Sequence, residues 1–262
     1  MRFFVDTLEV FAATGGRPFD KALPTVAFIH GAGMDRTVFA LQTRYFAHHG
    51  RGVLALDLPG HGRSAGPALA SIAAHADWLG RCLDALGVAK AALVGHSMGA
   101  FIAIEAAARQ PERICGLALL GIAARMPVHP DLQAAANANL HQASALISSW
   151  GHGTAGHLGG NPAPGLWRMG AGMRLLDQAP AGVLGSDLAA CAAYDGALGA
   201  AARVRCPTLL LLGAEDRMTP PAKAAPLAQA IAGARTIVLP GSGHMLMSER
   251  PNEVIDALAG AI

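Results

Sequence analysis

The chain has 262 residues, of which 52% are apolar and 15% charged, and its net charge at pH 7 is +2. This composition supplies a large hydrophobic core and excludes a disordered chain. The small net charge and the absence of a dense Lys/Arg run argue against a nucleic-acid-binding protein. We therefore expect one α/β domain, either alone or with a sizeable insertion.

The N-terminus and the cysteines indicate the compartment. The opening stretch MRFFVDTLEVF alternates in polarity and carries acidic residues, which predicts a strand rather than a signal peptide. The longest apolar run is shorter than the ~18 residues that cross a bilayer. The four cysteines are far apart and lack C-x-x-C spacing, as expected of small buried side chains in a reducing compartment: Cys82, Cys115, Cys191 and Cys206. We expect a cytoplasmic protein with no membrane partner.

Short apolar runs bounded by turns alternate with helical patterns along the chain. The runs predict strands at 25–30, 52–57, 91–95, 115–121, 208–213 and 236–240. Helical patterns cover 36–49, 71–87, 97–110, 221–232 and 248–259. Near-continuously apolar strands that alternate with helices predict a mostly parallel, doubly wound sheet. Ligands of such sheets bind at the carboxyl ends of the strands.

Residues 122–204 interrupt this alternation because they contain no strand pattern. They predict three helices, at 131–148, 165–178 and 186–195, and a Gly/Pro-rich loop over 151–165. We therefore predict a core formed by 1–121 and 205–262, with 122–204 as a helical cap, or lid, over the strand ends. A purely structural excursion is the alternative.

The stretch GHSMG, at 95–99, places a serine between a predicted strand and a predicted helix. A sharp strand-to-helix turn crowds the positions two residues before and after its corner, and Gly95 and Gly99 meet that restriction. The turn presents the Ser97 hydroxyl beside free N–H groups at the start of the helix. We predict that Ser97 is a nucleophile and that the Met98 N–H binds an oxyanion. A simple serine N-cap is the alternative.

A serine nucleophile needs a base that a third group orients, and two later strand ends offer both. Asp216 follows the strand at 208–213, and His244 follows the strand at 236–240. The order Ser, Asp, His is the one expected for this kind of turn. Glu215 is a rival for the acid. We predict a catalytic triad of Ser97, Asp216 and His244.

The stretch HGAG, at 30–33, ends the first buried strand in a glycine-bearing loop. Such a loop lets backbone N–H groups approach a substrate oxygen. We predict that the Ala32 N–H is the second oxyanion donor, and that His30 fixes the loop by a hydrogen bond.

Five stretches together give the chain its resemblance to α/β-hydrolase fold proteins with a helical cap: HGAG at 30–33, DLPGHGRS at 57–64, GHSMG at 95–99, GAEDRMTP at 213–220 and GSGHMLMSERP at 241–251. The resemblance implies a serine hydrolase of the carboxylesterase or enol-lactonase type that uses no cofactor. It also implies a structural role for the 57–64 loop, with His61 a minor candidate for lining the site. Haloalkane dehalogenases and epoxide hydrolases carry an aspartate where Ser97 stands, so the resemblance argues against both.

We expect this hydrolase to cleave a small, mostly apolar carboxylic ester or lactone through an acyl-enzyme. Three alternatives stay open: a carbon–carbon bond hydrolase, a cofactor-free haloperoxidase-type enzyme with the same triad, and a ligand receptor on a hydrolase scaffold. Whether the chain forms a homo-oligomer also stays open.

The cap offers candidate substrate contacts but no candidate metal ligands. Trp167 and Met173 are large apolar side chains, and Arg168 is a cation that suits a substrate carboxylate. The spacing of His152 and His157 in a glycine-rich loop fits no standard ligand pattern, so we predict no metal site.

Overall fold

The computed structural model describes residues 1–157 and 165–262. Eight strands follow in chain order: β1 (Arg2–Val5), β2 (Leu8–Ala13), β3 (Thr25–Ile29), β4 (Gly52–Leu56), β5 (Ala91–His96), β6 (Ile114–Leu120), β7 (Thr208–Gly213) and β8 (Arg235–Leu239). They form one sheet in the spatial order β1-β2-β4-β3-β5-β6-β7-β8. β1 and β2 form an antiparallel hairpin and β2 runs antiparallel to β4, whereas every other pair is parallel. The predicted mostly parallel sheet is confirmed.

The described residues also form twelve helices: α1 (Ala40–His48), α2 (Ile72–Ala85), α3 (Met98–Arg109), α4 (Pro130–Asn137), α5 (His141–Gly151), α6 (Thr154–His157), α7 (Arg168–Asp177), α8 (Val183–Ala193), α9 (Ala197–Ala201), α10 (Pro221–Ala230), α11 (Leu246–Glu249) and α12 (Pro251–Ala259). A 3₁₀ turn at Arg36–Phe39 precedes α1. Among residues 1–157 and 165–262, no helix has both the length and the apolar content that a membrane crossing needs.

The central strands β3 to β7 are buried on both faces because nearly all of their residues are apolar, whereas the outer strands β1, β2 and β8 carry exposed residues. Along β3, Ala27 and Ile29 join the core that includes α2 and α3, while Val26 and Phe28 join the core that includes α1 and α12. Successive side chains of a strand point to opposite faces, so a continuous apolar run fills both cores. This burial explains why β3 to β7 could be located from the sequence.

The described part of the segment between β6 and β7 contains helices and connecting loops but no strand, and its helices are shorter and more numerous than predicted. The single helix predicted over 131–148 divides into α4 and α5 at Asn139, which has a positive φ of 54°. A left-handed residue ends a helix, and asparagine tolerates that conformation better than most residues. α6 begins inside the predicted loop at 151–165, of which 158–164 lie outside the described residues.

The cysteine prediction is wrong at one position. All four thiols are free, and Cys82, Cys191 and Cys206 are buried, but Cys115 is exposed at the start of β6. Strand ends emerge from the layers that cover a sheet, so apolar periodicity alone does not guarantee burial there.

Candidate active site

Ser97 stands at the corner between β5 and α3 in a strained backbone conformation, with φ of 54° and ψ of −117°. A non-glycine residue with positive φ is uncommon, and such strain persists only where the surroundings enforce it. The Ser97 N–H donates to the Leu120 carbonyl at 2.9 Å, and the Ser97 carbonyl accepts from the Ala100 N–H at 2.9 Å. These bonds tie the corner to the neighbouring strand β6 and to the first turn of α3.

The two glycines of the corner are required by close packing of the backbone. A Cβ atom at Gly99 would lie deep inside van der Waals contact with the carbonyl oxygens of Ile29 and His30, and one at Gly95 would meet the carbonyl of Gly99. The sequence argument for the elbow therefore corresponds to an observed steric restriction.

We expect Gly99→Ala to lower the free energy of unfolding by about 3 kcal/mol, because the added methyl group meets backbone that cannot rotate away. Chemical denaturation measures this loss. Gly199→Ala on α9 is the matched control, since a Cβ there meets no atom nearer than Arg203 Nη1 at 3.7 Å. Alanine at that helical position is expected to raise stability by about 0.5–1 kcal/mol. Equal stabilities of the two variants would contradict the steric argument.

His244 and Asp216 meet at the neighbouring strand ends. His244 Nδ1 lies 2.8 Å from Asp216 Oδ2, and both side chains are buried. Burial raises the pKa of Asp216, but the nearby His244 and the hydrogen bonds from Thr219 outweigh it and hold that pKa well below its usual range. Asp216 is therefore a carboxylate that can orient a histidine and stabilise its cation.

The hydrogen bonds around Asp216 determine the His244 tautomer. Asp216 Oδ1 accepts from the N–H groups of Met218 and Thr219, and Oδ2 accepts from the Thr219 hydroxyl at 2.7 Å. Because the carboxylate only accepts, the proton of neutral His244 belongs on Nδ1. Its Nε2 then carries the lone pair, and this buried atom has no hydrogen-bond partner among the described residues.

Glu215 points elsewhere. Its Oε2 accepts a hydrogen bond from the Thr154 N–H at the start of α6, 2.6 Å away, and that bond lowers the pKa of Glu215. The structure thus places Asp216, and not its neighbour, against His244.

His96, which precedes Ser97, contacts His244 through a hydrogen bond and a ring contact. Its Nε2–H donates to the His244 carbonyl at 2.9 Å, and the two rings are 4.7 Å apart between centroids. Burial, reinforced by repulsion from His244, lowers the pKa of His96 to about 3, so this ring is neutral. The cap holds the same loop, because the Gly151 carbonyl accepts from the His244 N–H at 2.8 Å.

The loop after β3 presents the predicted oxyanion donor. Ala32 lines the same cavity as Ser97, and no hydrogen bond among the described residues uses its N–H. His30 fixes the base of this loop: its Nδ1–H donates to the Gly31 carbonyl at 2.9 Å and its Nε2 accepts from the Leu58 N–H at 3.1 Å. Met98 is buried at the start of α3, where the first backbone N–H groups of a helix lack intrahelical acceptors.

A cavity of about 330 Å³ joins these groups. Ser97, His244 and Ala32 form part of its wall, and Arg217 is the one Lys or Arg among its described lining residues. No carboxylate belongs to the described lining. Its ceiling comes from the segment between β6 and β7 and is mostly apolar, although His129 and Cys191 belong to it. The apolar ceiling residues are Met126, Pro127, Val128, Leu132, Ile147, Trp150 and Leu188.

The three predicted substrate contacts lie away from this cavity. Trp167 is 61% exposed, Met173 is half-buried on α7, and Arg168 donates to the Glu249 carbonyl at 3.2 Å. Arg168 lines a different cavity, between α7 and the start of α1. α7 packs on α5, and the part of the cavity wall that this segment supplies comes from α4, α5, α8 and the loop before α4 instead. Helical periodicity identifies an apolar face but not the neighbour that covers it.

Sequence reasoning missed several residues that support the site. Thr219 bridges Asp216 and His244, with its hydroxyl 3.1 Å from His244 Nδ1. Glu249 accepts from the N–H groups of Gly243 and Gly153 and so joins the His244 loop to the cap. A threonine three residues after an aspartate is a recognisable local motif, whereas the Glu249 contacts across the chain leave no sequence signal.

Comparison with known proteins shows which family this chain resembles. The family model of the alpha/beta hydrolase fold matches residues 24–251. A pimeloyl-[acyl-carrier protein] methyl ester esterase of Chromobacterium violaceum is 31% identical over 248 residues, which is 90% of this chain and 93% of that protein. The crystal structure of an enol-lactonase from Burkholderia xenovorans LB400 superposes with a TM-score of 0.87 at 25% identity, over 99% of this chain and 98% of that one.

A further relative matches only in part. The dihydrolipoyllysine-residue acetyltransferase component of an acetoin cleaving system from Cupriavidus necator is 40% identical over 121 residues, which is 44% of this chain and 30% of that protein. The chain therefore spans less than a third of that relative's length. The family model extends from the strand before Ala32 to the helix after His244, and two similar proteins are covered almost completely. The chain belongs to the α/β-hydrolase fold family.

Proposed function

We propose that the protein is a serine hydrolase that cleaves a small, mostly apolar carboxylic ester or lactone. The observation that carries this proposal is the meeting of a strained serine and a carboxylate-paired histidine at one apolar cavity. The similarity to proteins named as an esterase and an enol-lactonase supports the same reaction class.

In the proposed mechanism the His244 Nε2 removes the Ser97 hydroxyl proton as the oxygen attacks the substrate carbonyl. Asp216 orients His244 and stabilises its imidazolium. The N–H groups of Met98 and Ala32 bind the oxyanion. His244 then protonates the leaving oxygen, and an acyl-enzyme remains. Water, activated by the same histidine, releases the acid and restores Ser97.

No hydrogen bond joins the Ser97 hydroxyl to His244 Nε2 among the contacts of the described residues. Catalytic hydrogen bonds are often long without substrate and tighten in the reactive complex. The mechanism therefore requires a small adjustment of the serine side chain when a substrate enters.

Cavity shape supports a small acyl group. A volume of about 330 Å³ is at the lower end for small-molecule sites, and most of the ceiling residues are apolar. We propose that residues 122–204 act as the lid of this site and exclude water from it.

The direct test combines a covalent probe with a substrate panel. We expect a fluorophosphonate to label the wild-type protein at Ser97, and p-nitrophenyl esters of short acyl chains or simple lactones to be hydrolysed. Binding of small ligands without labelling or turnover would support the receptor alternative instead. Turnover of a β-diketone with every ester inert would favour carbon–carbon bond hydrolysis.

We expect Trp150→Ala to shift the preferred acyl chain to a longer one, because Trp150 forms part of the cavity ceiling. Each methylene that the enlarged pocket accommodates is worth about 1–3 kcal/mol of discrimination. The measurement is kcat/KM across p-nitrophenyl esters of increasing chain length. Trp167→Ala is the matched control, since this tryptophan of the same segment lies outside the cavity and is expected to keep the wild-type profile. A shift with Trp167→Ala alone would place the acyl pocket elsewhere.

A further inference from the structure

A fully buried carboxylate outside the proposed triad joins the cap to the loop after β3, residues 30–33, which we call the oxyanion loop. Asp187 lies on α8 and is 0% exposed. Its Oδ2 accepts from the Gly33 N–H at 2.8 Å and lies 2.7 Å from His61 Nε2, while Oδ1 has no hydrogen-bond partner among the described residues. Gly33 directly follows Ala32. The cap thus holds the peptide next to the predicted oxyanion donor.

The contacts of His61 show that its ring is protonated at both nitrogens. His61 Nδ1 lies 2.9 Å from the Pro59 carbonyl, and its Nε2 faces the Asp187 carboxylate. Both neighbours are acceptors, so each nitrogen needs a proton, and the ring is an imidazolium. Burial lowers the pKa of His61, but the hydrogen bond that its Nε2–H donates to Asp187, together with the charge of that carboxylate, outweighs burial and raises the pKa above its ordinary value.

The groups around Asp187 and His61 are compatible with a protonated His61. The ring of His30 lies 4.9 Å from that of His61, and its Nε2 accepts from the Leu58 N–H, so His30 is neutral. Burial lowers the pKa of His30 well below its ordinary value. Among the described residues, no Lys or Arg pairs with Asp187, which leaves His61 as its counter-charge. The other titratable or charged groups that face the pair are Asp57 with its partner Arg36, His75 and Cys191.

We propose that Asp187, paired with protonated His61, is a positioning residue that fixes the oxyanion loop by holding the Gly33 peptide. It touches neither substrate nor Ser97 and acts through the backbone that carries the Ala32 N–H. This inference rests on the proposed serine hydrolase function. If Asp187 acts in this way, the oxyanion site is complete only when the cap is docked on the core. The fully buried charge of Asp187 then contributes to turnover.

Because His61 titrates, the ion pair between Asp187 and His61 depends on pH. Because the pKa of His61 in the folded protein is raised, the pair is complete below the ordinary histidine pKa. It is lost as the pH rises through the raised folded value, where one ring nitrogen turns a lone pair toward an oxygen. We therefore expect kcat of the wild-type enzyme to fall on the alkaline side of its optimum.

The test compares Asp187→Asn with Asp177→Asn. Asp177 of α7 also pairs with a cap histidine, at 2.8 Å from His141 Nδ1, but among the described residues its carboxylate bonds to His141 and Ser144 and not to the oxyanion loop. We expect Asp187→Asn to lower kcat for a p-nitrophenyl ester about 10–100-fold with little change in KM, since misplacing one oxyanion donor costs this much or more. Binding of a boronic acid, which forms a tetrahedral adduct with serine, is expected to weaken by a similar factor. Asp177→Asn is expected to keep kcat within about twofold.

His61→Gln separates positioning from mere stability. A glutamine amide still donates to Asp187 but does not titrate, so the variant is expected to keep most of the neutral-pH kcat and to lose the alkaline fall. The proposal is overturned if Asp187→Asn and Asp177→Asn have the same kcat while circular dichroism shows that both are folded to the same extent. The proposal is also overturned if kcat of His61→Gln still falls at alkaline pH as it does in the wild type. This second measurement tests the proposal even if Asp187→Asn does not fold. A wild-type protein inert toward every ester overturns the proposed function itself, whereas an active wild type with indifferent Asp187→Asn overturns this inference alone.

Discussion

Replacement of Ser97 by alanine is expected to lower kcat for ester hydrolysis by about 10⁶-fold, because loss of the proposed nucleophile disables the proposed triad as a unit. The elbow itself needs glycine at 95 and 99 and imposes no side-chain requirement at its corner beyond tolerance of positive φ. Alanine pays a similar strain there, so the fold is expected to survive. The measurement is kcat on the best p-nitrophenyl ester, with circular dichroism as the check on folding.

Labelling supplies the control for Ser97→Ala. A fluorophosphonate is expected to modify the wild-type protein once and the variant not at all. Ser148→Ala is a matched substitution of another serine, since Ser148 is buried on α5 and its hydroxyl has no hydrogen-bond partner among the described residues. It is expected to be labelled as the wild type is. Wild-type turnover by a clean Ser97→Ala preparation would show that the nucleophile lies elsewhere.

Replacement of Asp216 by asparagine is expected to lower kcat by about 10⁴-fold. The amide oxygen can still accept from the N–H groups of Met218 and Thr219, so the loop after β7 is expected to keep its shape. The amide nitrogen then faces His244 Nδ1, where it donates instead of accepting. That contact favours the tautomer with its proton on Nε2, and this tautomer cannot take the Ser97 proton.

Glu215→Gln is the control for the adjacent carboxylate. It removes a charge at the neighbouring position but acts on the Thr154 N–H of the cap and not on His244. We expect kcat of this variant to stay within about threefold of the wild type. A reversed order, with Glu215→Gln the more damaging change, would make Glu215 the acid. Thermal melting of both variants separates loss of activity from loss of fold.

The positions of Ser97, Asp216 and His244 could be predicted because each belongs to a local pattern. An apolar run buried on both faces identifies a strand without reference to its neighbours, and glycine spacing identifies the turn that follows. Parallel strands place their carboxyl ends at one edge, so three polar residues after three such strands were expected at one site. The strained φ at Ser97 and the contact between Asp216 and His244 agree with that reasoning.

The residues of the cavity wall and the contacts that support the site could not be predicted from local sequence patterns. Trp167 and Met173 have the size and helical spacing of pocket residues, yet the lining comes from α4, α5, α8 and the loop before α4, while α7 packs on α5. In the sequence, Asp187 is a single charged residue within an apolar helical pattern. Folding brings it into contact with Gly33 and His61, which are 154 and 126 residues away in the sequence. Strand and helix propensities act over a few residues, whereas helix packing and buried ion pairs depend on which distant surfaces meet. The proposed reacting groups can therefore be predicted from the linear sequence, while the shape of the pocket and the attachment of the proposed cap depend on tertiary packing.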